Sequence, residues 1–146
     1  MQPAAGRAQS ADDFALANAL ETRLAYVLTG DAEIDRISDE GLKGLSAMLR
    51  DRTSIEPADP AAVDIAKDEI AFFPLLYWPV KPDAVMPSDA TLAKIDAYMK
   101  NGGTIFFDLR DDGTSVDSLL GAATASSDAL RRILAKLDIP PLEPVP

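Results

Sequence analysis

The chain contains no cysteine and no histidine. Without thiols there is no disulfide, no thiolate nucleophile and no cysteine-ligated zinc or iron–sulfur centre. The redox compartment leaves no trace either, since a thiol-free chain suits both kinds. Without imidazole the commonest general base and the commonest transition-metal ligand are gone, so Ser–His–Asp and Cys–His catalysis are excluded by composition. Positive charge is scarce: 14 Lys and Arg against 24 Asp and Glu leave a net charge of −10. Such a surface repels phosphate backbones and anionic headgroups. No basic patch offsets it, and nucleic acid is not an expected partner. No apolar run approaches the roughly 18 residues that a membrane span needs. Residues 1–10 lack the apolar core of a signal peptide and read as a linker.

What is present suits one globular domain: 146 residues, 47% of them apolar and 26% charged. Residues 1–21 form a lead-in that is partly helical, with Asp12 and Asp13 in a first turn and Phe14, Ala17 and Leu20 at helical spacing. An α/β domain is expected over residues 22–138. Its first strand is the apolar run 24–28, which ends in the loop Thr29-Gly30-Asp31. Ser38 can cap the next helix, whose stripe is Leu42, Leu45 and Leu49 with Met48 beside them, and whose end carries Arg50 and Arg52. Residues 53–56 read as a short second strand, and residues 61–65 as a brief helical turn within a loop. The most apolar stretch starts at Ile70. Pro74 is awkward in a central strand, so the spacing predicts a strand over 70–73 and an apolar loop, rich in proline, as far as Ser88. Ser88 caps the clearest helix, with face Leu92, Ile95, Tyr98 and Met99 and a stop at Gly102. Residues 104–108 are another buried strand running into a polar loop over 109–114. A short helix is expected over 117–120, and a last one capped by Ser126 or Ser127 with face Leu130, Ile133, Leu134 and Leu137. Residues 139–146 hold four prolines and form a tail that continues neither helix nor central strand.

Apolar strands alternating with amphipathic helices argue for a three-layer α/β sandwich with a mainly parallel sheet. Three segments, TRLAYVLTGD at 22–31, AFFPLLYWPV at 71–80 and GGTIFFDLR at 102–110, together resemble the domain-of-unknown-function family DUF 4159 over residues 11–146. That resemblance implies several things. Members usually form the C-terminal region of larger proteins with upstream transmembrane helices, so the parent is expected to be tethered to the bacterial inner membrane while this segment stays outside the bilayer. The family domain is normally longer than this chain, so a truncation on the C-terminal side is expected. The family is similar in turn to the class I glutamine-amidotransferase-like fold, a flavodoxin-like sandwich, and residues 70–108 resemble its trehalose-utilisation-type members. The resemblance implies fold and not chemistry, because the nucleophilic Cys and its His partner have no counterpart here.

In open parallel sheets ligands bind at the carboxyl ends of strands. The polar groups expected along that rim are Thr29, Gly30 and Asp31, then Tyr77 and Trp78, then Asp108 and Arg110. Arg110 can pair with Asp108 or grip an anion. Asp108, Asp111 and Asp112 can gather a hard cation such as Mg²⁺, or equally can cap backbone amides and form a solvated turn. Thr29-Gly30-Asp31 can present amides to an anion or simply turn the chain. Tyr77 and Trp78 can line an interaction groove or cover the sheet edge. The expected function is a non-catalytic module that binds an unidentified protein or small molecule, with no cofactor. The alternative is an atypical metal-assisted hydrolase working through strand-end carboxylates.

Overall fold

The computed structural model describes residues 5–110 and 124–140, with side chains from Asp12 onward. Helix α1 (Ala5–Ala19) lies ahead of a four-stranded, all-parallel sheet built from β1 (Ala25–Val27), β2 (Ala61–Val63), β3 (Leu75–Val80) and β4 (Thr104–Leu109) in the order β2-β1-β3-β4. Helix α2 (Ala32–Arg52) connects β1 towards β2, α3 (Asp89–Lys100) connects β3 to β4, and α4 (Ala125–Leu134) follows. The main core joins Val27, Leu76, Trp78 and Val80 to Leu92, Ile95 and Tyr98 of α3 and Ala129 and Ile133 of α4. A thinner cluster on the opposite face holds Leu24, Tyr26 and Leu42, with Leu49, Leu75 and Tyr77 packed against it. The architecture is therefore a three-layer, flavodoxin-like sandwich, with α2 on one face of the sheet and α3 and α4 on the other. From the lead-in, Phe14 sets its ring edge-on to Phe73 at 6.2 Å.

Several elements fall elsewhere than the sequence pattern suggests. Helix α2 begins at Ala32, and its cap is Asp31, whose carboxylate accepts from the Glu33 and Ile34 amides at 3.0 and 3.3 Å. Glu33 and Asp35 occupy its first turn, where the helix dipole favours them. Ser38 lies inside the helix, buried, and donates to the Ile34 carbonyl at 2.8 Å. Ala61–Val63 is the second strand, and residues 53–56 have no regular structure. Alanine prefers helices, but pairing Ala61 with Ala25 and Val63 with Val27 overrides that preference. Thr124, and not Ser126 or Ser127, caps α4, with Ser127 completing a capping box. The helix expected over 117–120 lies outside the described residues.

The third strand shows the largest departure. It occupies Leu75–Val80, and residues 70–73 are the turn before it. Pro74 stands just outside the strand and costs nothing. Pro79 stands inside, and hydrogen-bond direction explains why. The Thr104 amide donates to Pro74 O and the Arg110 amide to Val80 O, so even-numbered residues of β3 turn their backbone groups towards β4. The odd ones face β1, whose pairing ends at Tyr26–Tyr77. Pro79 therefore has its missing N–H on the β1 side: its ladder with β4 is whole, and the ladder with β1 stops at Tyr26–Tyr77, one bond short of the Val27 carbonyl that an amide at 79 would reach.

Candidate functional site

Strand geometry decides what the expected rim can be. Successive side chains of β3 point to opposite faces, so Tyr77 and Trp78 cannot line one site. Trp78 faces the α3 and α4 side, only 6% exposed, with its ring 5.5 Å from that of Phe107. Tyr77 faces the α2 side, its ring stacked on Phe106 at 6.0 Å with 18° between the planes.

On the α2 side, the Tyr77 hydroxyl donates to Asp108 Oδ2 at 2.5 Å. Arg110 Nε lies 3.5 Å from the same oxygen, close enough for charge attraction but not aligned for a hydrogen bond. The Arg110 backbone is fixed from both ends, its amide donating to Val80 O and its carbonyl accepting from Ser126 Oγ. Burial, then the hydrogen bond to Asp108 and its negative charge, push the Tyr77 phenol from 10.0 up to about 12, against the opposing pull of Arg110. Tyr77 is thus a neutral donor at physiological pH and no base. Asp108 is held by that donor and by the guanidinium, which leaves it poorly placed to abstract a proton.

This arrangement makes a titration prediction. Because the phenol pKa is raised in the folded state, its contribution to stability is whole below the ordinary pKa of 10.0 and is lost as pH rises through about 12. In a phenolate-absorbance titration of the folded protein, one of the three tyrosines should ionise near pH 12. Asp108→Asn should bring that transition down, yet leave it above the ordinary value, since burial is the first cause and remains. A Tyr77 transition unmoved by Asp108→Asn would show that the two groups do not interact.

Beside this triad lies a groove of about 380 Å³. One wall is α2, through Ile37, Gly41 and Leu45; the floor is Leu75, Tyr77 and Phe106; Arg110 stands at its end. Phe106 is 58% exposed, and Ile37 and Leu45 are exposed as well. A methyl at Gly41 would meet nothing within 4 Å, so the wall is open there. The sequence pattern assigns Leu45 to the core stripe of its helix and Phe106 to a buried strand. The usable signal was that Ile105, Phe106 and Phe107 are all apolar, so β4 needs cover on both faces.

The other expected residues are occupied structurally. Asp31 is the α2 cap, and Gly30, at φ +82, makes the turn into it. The Thr29 amide and hydroxyl both donate to Asp35 Oδ1 at 2.8 Å, and Thr29 Oγ1 accepts from the Asp31 amide at 3.1 Å. Two of the loop's amides are thereby used internally. Asp111 and Asp112 lie outside the described residues; among the described ones no group of three carboxylates is placed to hold a metal ion.

Residues 23–146 match the family model described as Domain of unknown function (DUF4159). No curated protein matches the chain.

Proposed function

We propose a binding role for this chain, which belongs to the family Domain of unknown function (DUF4159): it is a non-catalytic module that docks a partner polypeptide within a larger membrane-anchored protein. The observation that carries the reading is Phe106, more than half exposed on the face of a parallel strand. Parallel sheets bury both faces, and half of the α2 face has no helix over it among the described residues. A groove walled by one helix and floored by a sheet suits a second amphipathic helix laid beside the first. The net charge of −10 favours an occupant with basic flanks and opposes a second copy of the same chain. The state of Tyr77 and Asp108 supports binding over proton transfer. No described helix is long and apolar enough to cross a membrane, so on this reading the anchor belongs to another part of the parent. The membrane tether and the amidotransferase-like kinship rest on the resemblance in residues 22–31, 71–80 and 102–110.

The test uses a model amphipathic helix of leucine and lysine. Backbone amide resonances of Ile37, Leu45 and Phe106 should shift on its addition. Phe106→Asp should weaken binding by at least about tenfold, the loss typical of an interface anchor, while leaving the fold intact. The substitution adds negative charge, so weaker binding of a basic peptide cannot be electrostatic. Undiminished binding to Phe106→Asp, or shifts confined to other surfaces, would remove the groove as the docking site.

A further inference from the structure

A strand at the end of a sheet leaves half of its backbone groups without a strand partner. In the order β2-β1-β3-β4 the two ends are β2 and β4, and they differ. β2 is three residues long, AAV, and a very short edge strand is one of the ways a sheet avoids unwanted pairing. β4 is six residues long, TIFFDL. It pairs with β3 along its whole length, from Leu75 with Thr104 to Val80 with Leu109, without a bulge.

Hydrogen-bond direction tells which groups of β4 are open. The Thr104 amide donates to Pro74 O and the Arg110 amide to Val80 O, so the even-numbered residues face β3 from end to end. Ile105, Phe107 and Leu109 therefore turn three N–H and three C=O groups outward, and no described strand lies beyond them. The sequence does nothing to blunt this edge. TIFFDL has no proline and no lysine, and its single charge, Asp108, is engaged with Tyr77 and Arg110. The side chains flanking the edge are apolar as well. Phe106 stands exposed on the α2 face, and Ile105 and Phe107 are only partly buried on the other.

An apolar face accepts many shapes, but a row of donors and acceptors at every second residue accepts an extended backbone. We propose that the open edge of β4 adds a strand from a partner polypeptide: an extended segment running beside Ile105 to Leu109, apolar on both faces, with lysine or arginine at its ends. Phe106 on one face and Ile105 and Phe107 on the other set the apolar requirement. The net charge of −10 sets the basic ends and works against a second copy of β4 in that place. The inference goes beyond the groove and does not rest on it, because a docked helix uses side chains of the α2 face and an added strand uses the backbone of the edge.

The probe is a soluble peptide of valine and threonine with lysine at both ends, and the measurement is amide hydrogen exchange along β4 by NMR. In the free protein the Phe106 and Asp108 amides should exchange slowly, and those of Ile105, Phe107 and Leu109 fast. Peptide at about ten times its Kd should slow the three fast amides by about tenfold and leave Phe106 and Asp108 as they were. Leu109→Pro removes one outward donor and sets a ring on the edge without touching the β3 ladder. It should weaken the peptide by at least about tenfold, while the leucine–lysine helix binds the groove as before. If Leu109→Pro fails to fold, the alternating protection in the unaltered chain still decides. Outward amides already slow in the free protein would mean that the edge is covered, by a second copy if the slowing grows with concentration, and would overturn the proposal. No slowing with peptide, or undiminished binding to Leu109→Pro, would overturn it too.

Discussion

Trp78→Ala should destabilise the protein by about 3–5 kcal/mol, the range for removing a large buried aromatic and leaving its cavity. Total stability for a domain of this size is on the order of 5–15 kcal/mol, so the variant should sit close to unfolding. The reason is position. Trp78 is central in β3, its ring lies against Phe107, and it belongs to the same core as Val27, Ile95 and Ile133. The backbone cannot move to close the gap, since β3 pairs with strands on both sides. The measurement is the urea midpoint followed by far-ultraviolet circular dichroism, because the substitution removes the only tryptophan. Tyr77→Ala, one residue away on the half-covered face, should cost clearly less. An unchanged midpoint for Trp78→Ala would mean that the indole is not core and that β3 has a different register.

Gly103→Ala should cost about 3 kcal/mol, at the upper end of the overpacking range, although it adds a single methyl. Helix α3 ends in a paired turn: Gly102 N–H donates to Met99 O, and Gly103 N–H to Tyr98 O at 2.9 Å. These are the two bonds of a Schellman motif, and Gly102, at φ +96, takes the left-handed position that the motif requires. Gly103 is needed for a different reason. A Cβ there would lie 2.3 Å from Cε2 and Cζ of the Tyr98 ring, far inside the carbon contact distance of about 3.5–4.0 Å. The ring has nowhere to go. Its hydroxyl donates towards Phe73 O at 2.8 Å and Thr104 O at 3.2 Å, pinning the turn before β3 and the start of β4 to the helix. A double-mutant cycle isolates the effect. In a Tyr98→Ala background the added methyl should cost less than about 1 kcal/mol, because the collision has gone. A cost that survives removal of the ring would place the strain in the backbone instead.

The Gly102-Gly103 pair shows how much a sequence can carry. It marks the end of α3 on inspection, since glycine after an apolar stripe is a helix stop. That the second glycine is a hole for a tyrosine ring five residues earlier is a tertiary fact. The same division runs through the chain. Ser88 with Leu92, Ile95 and Tyr98 announces its helix because cap and stripe are local. Residues 24–28 announce a buried strand because an apolar run of that length has few other uses. Residues 104–108 announce a strand in the same way, but not a buried one, since none of these residues is fully covered and Phe106 is 58% exposed. The cap of α2 is Asp31 and not Ser38, although both residue types suit a cap. Only the brace between Thr29 and Asp35 shows which one the chain uses.

The site was harder to read than the fold because it depended on one strand's boundaries. Pro74 and Pro79 argue against a central strand until the pairing of each neighbour is known. Reading residues 74–80 as a loop hides the alternation that sends Tyr77 and Trp78 to opposite faces. A single rim then divides between the two faces of the sheet. One part is the groove beside Tyr77, Asp108 and Arg110; the other is the buried contact of Trp78 with Phe107.

Composition and periodicity by themselves determined that this is an acidic α/β domain with parallel strands and without thiol or imidazole chemistry, because those properties belong to residue types and to spacings of two and 3.6. Tertiary structure alone decided that Pro79 is tolerated, that Phe106 is left uncovered, and that Trp78 is core. Each of these depends on which strand ends beside which, and that is set by contacts between residues far apart in the chain.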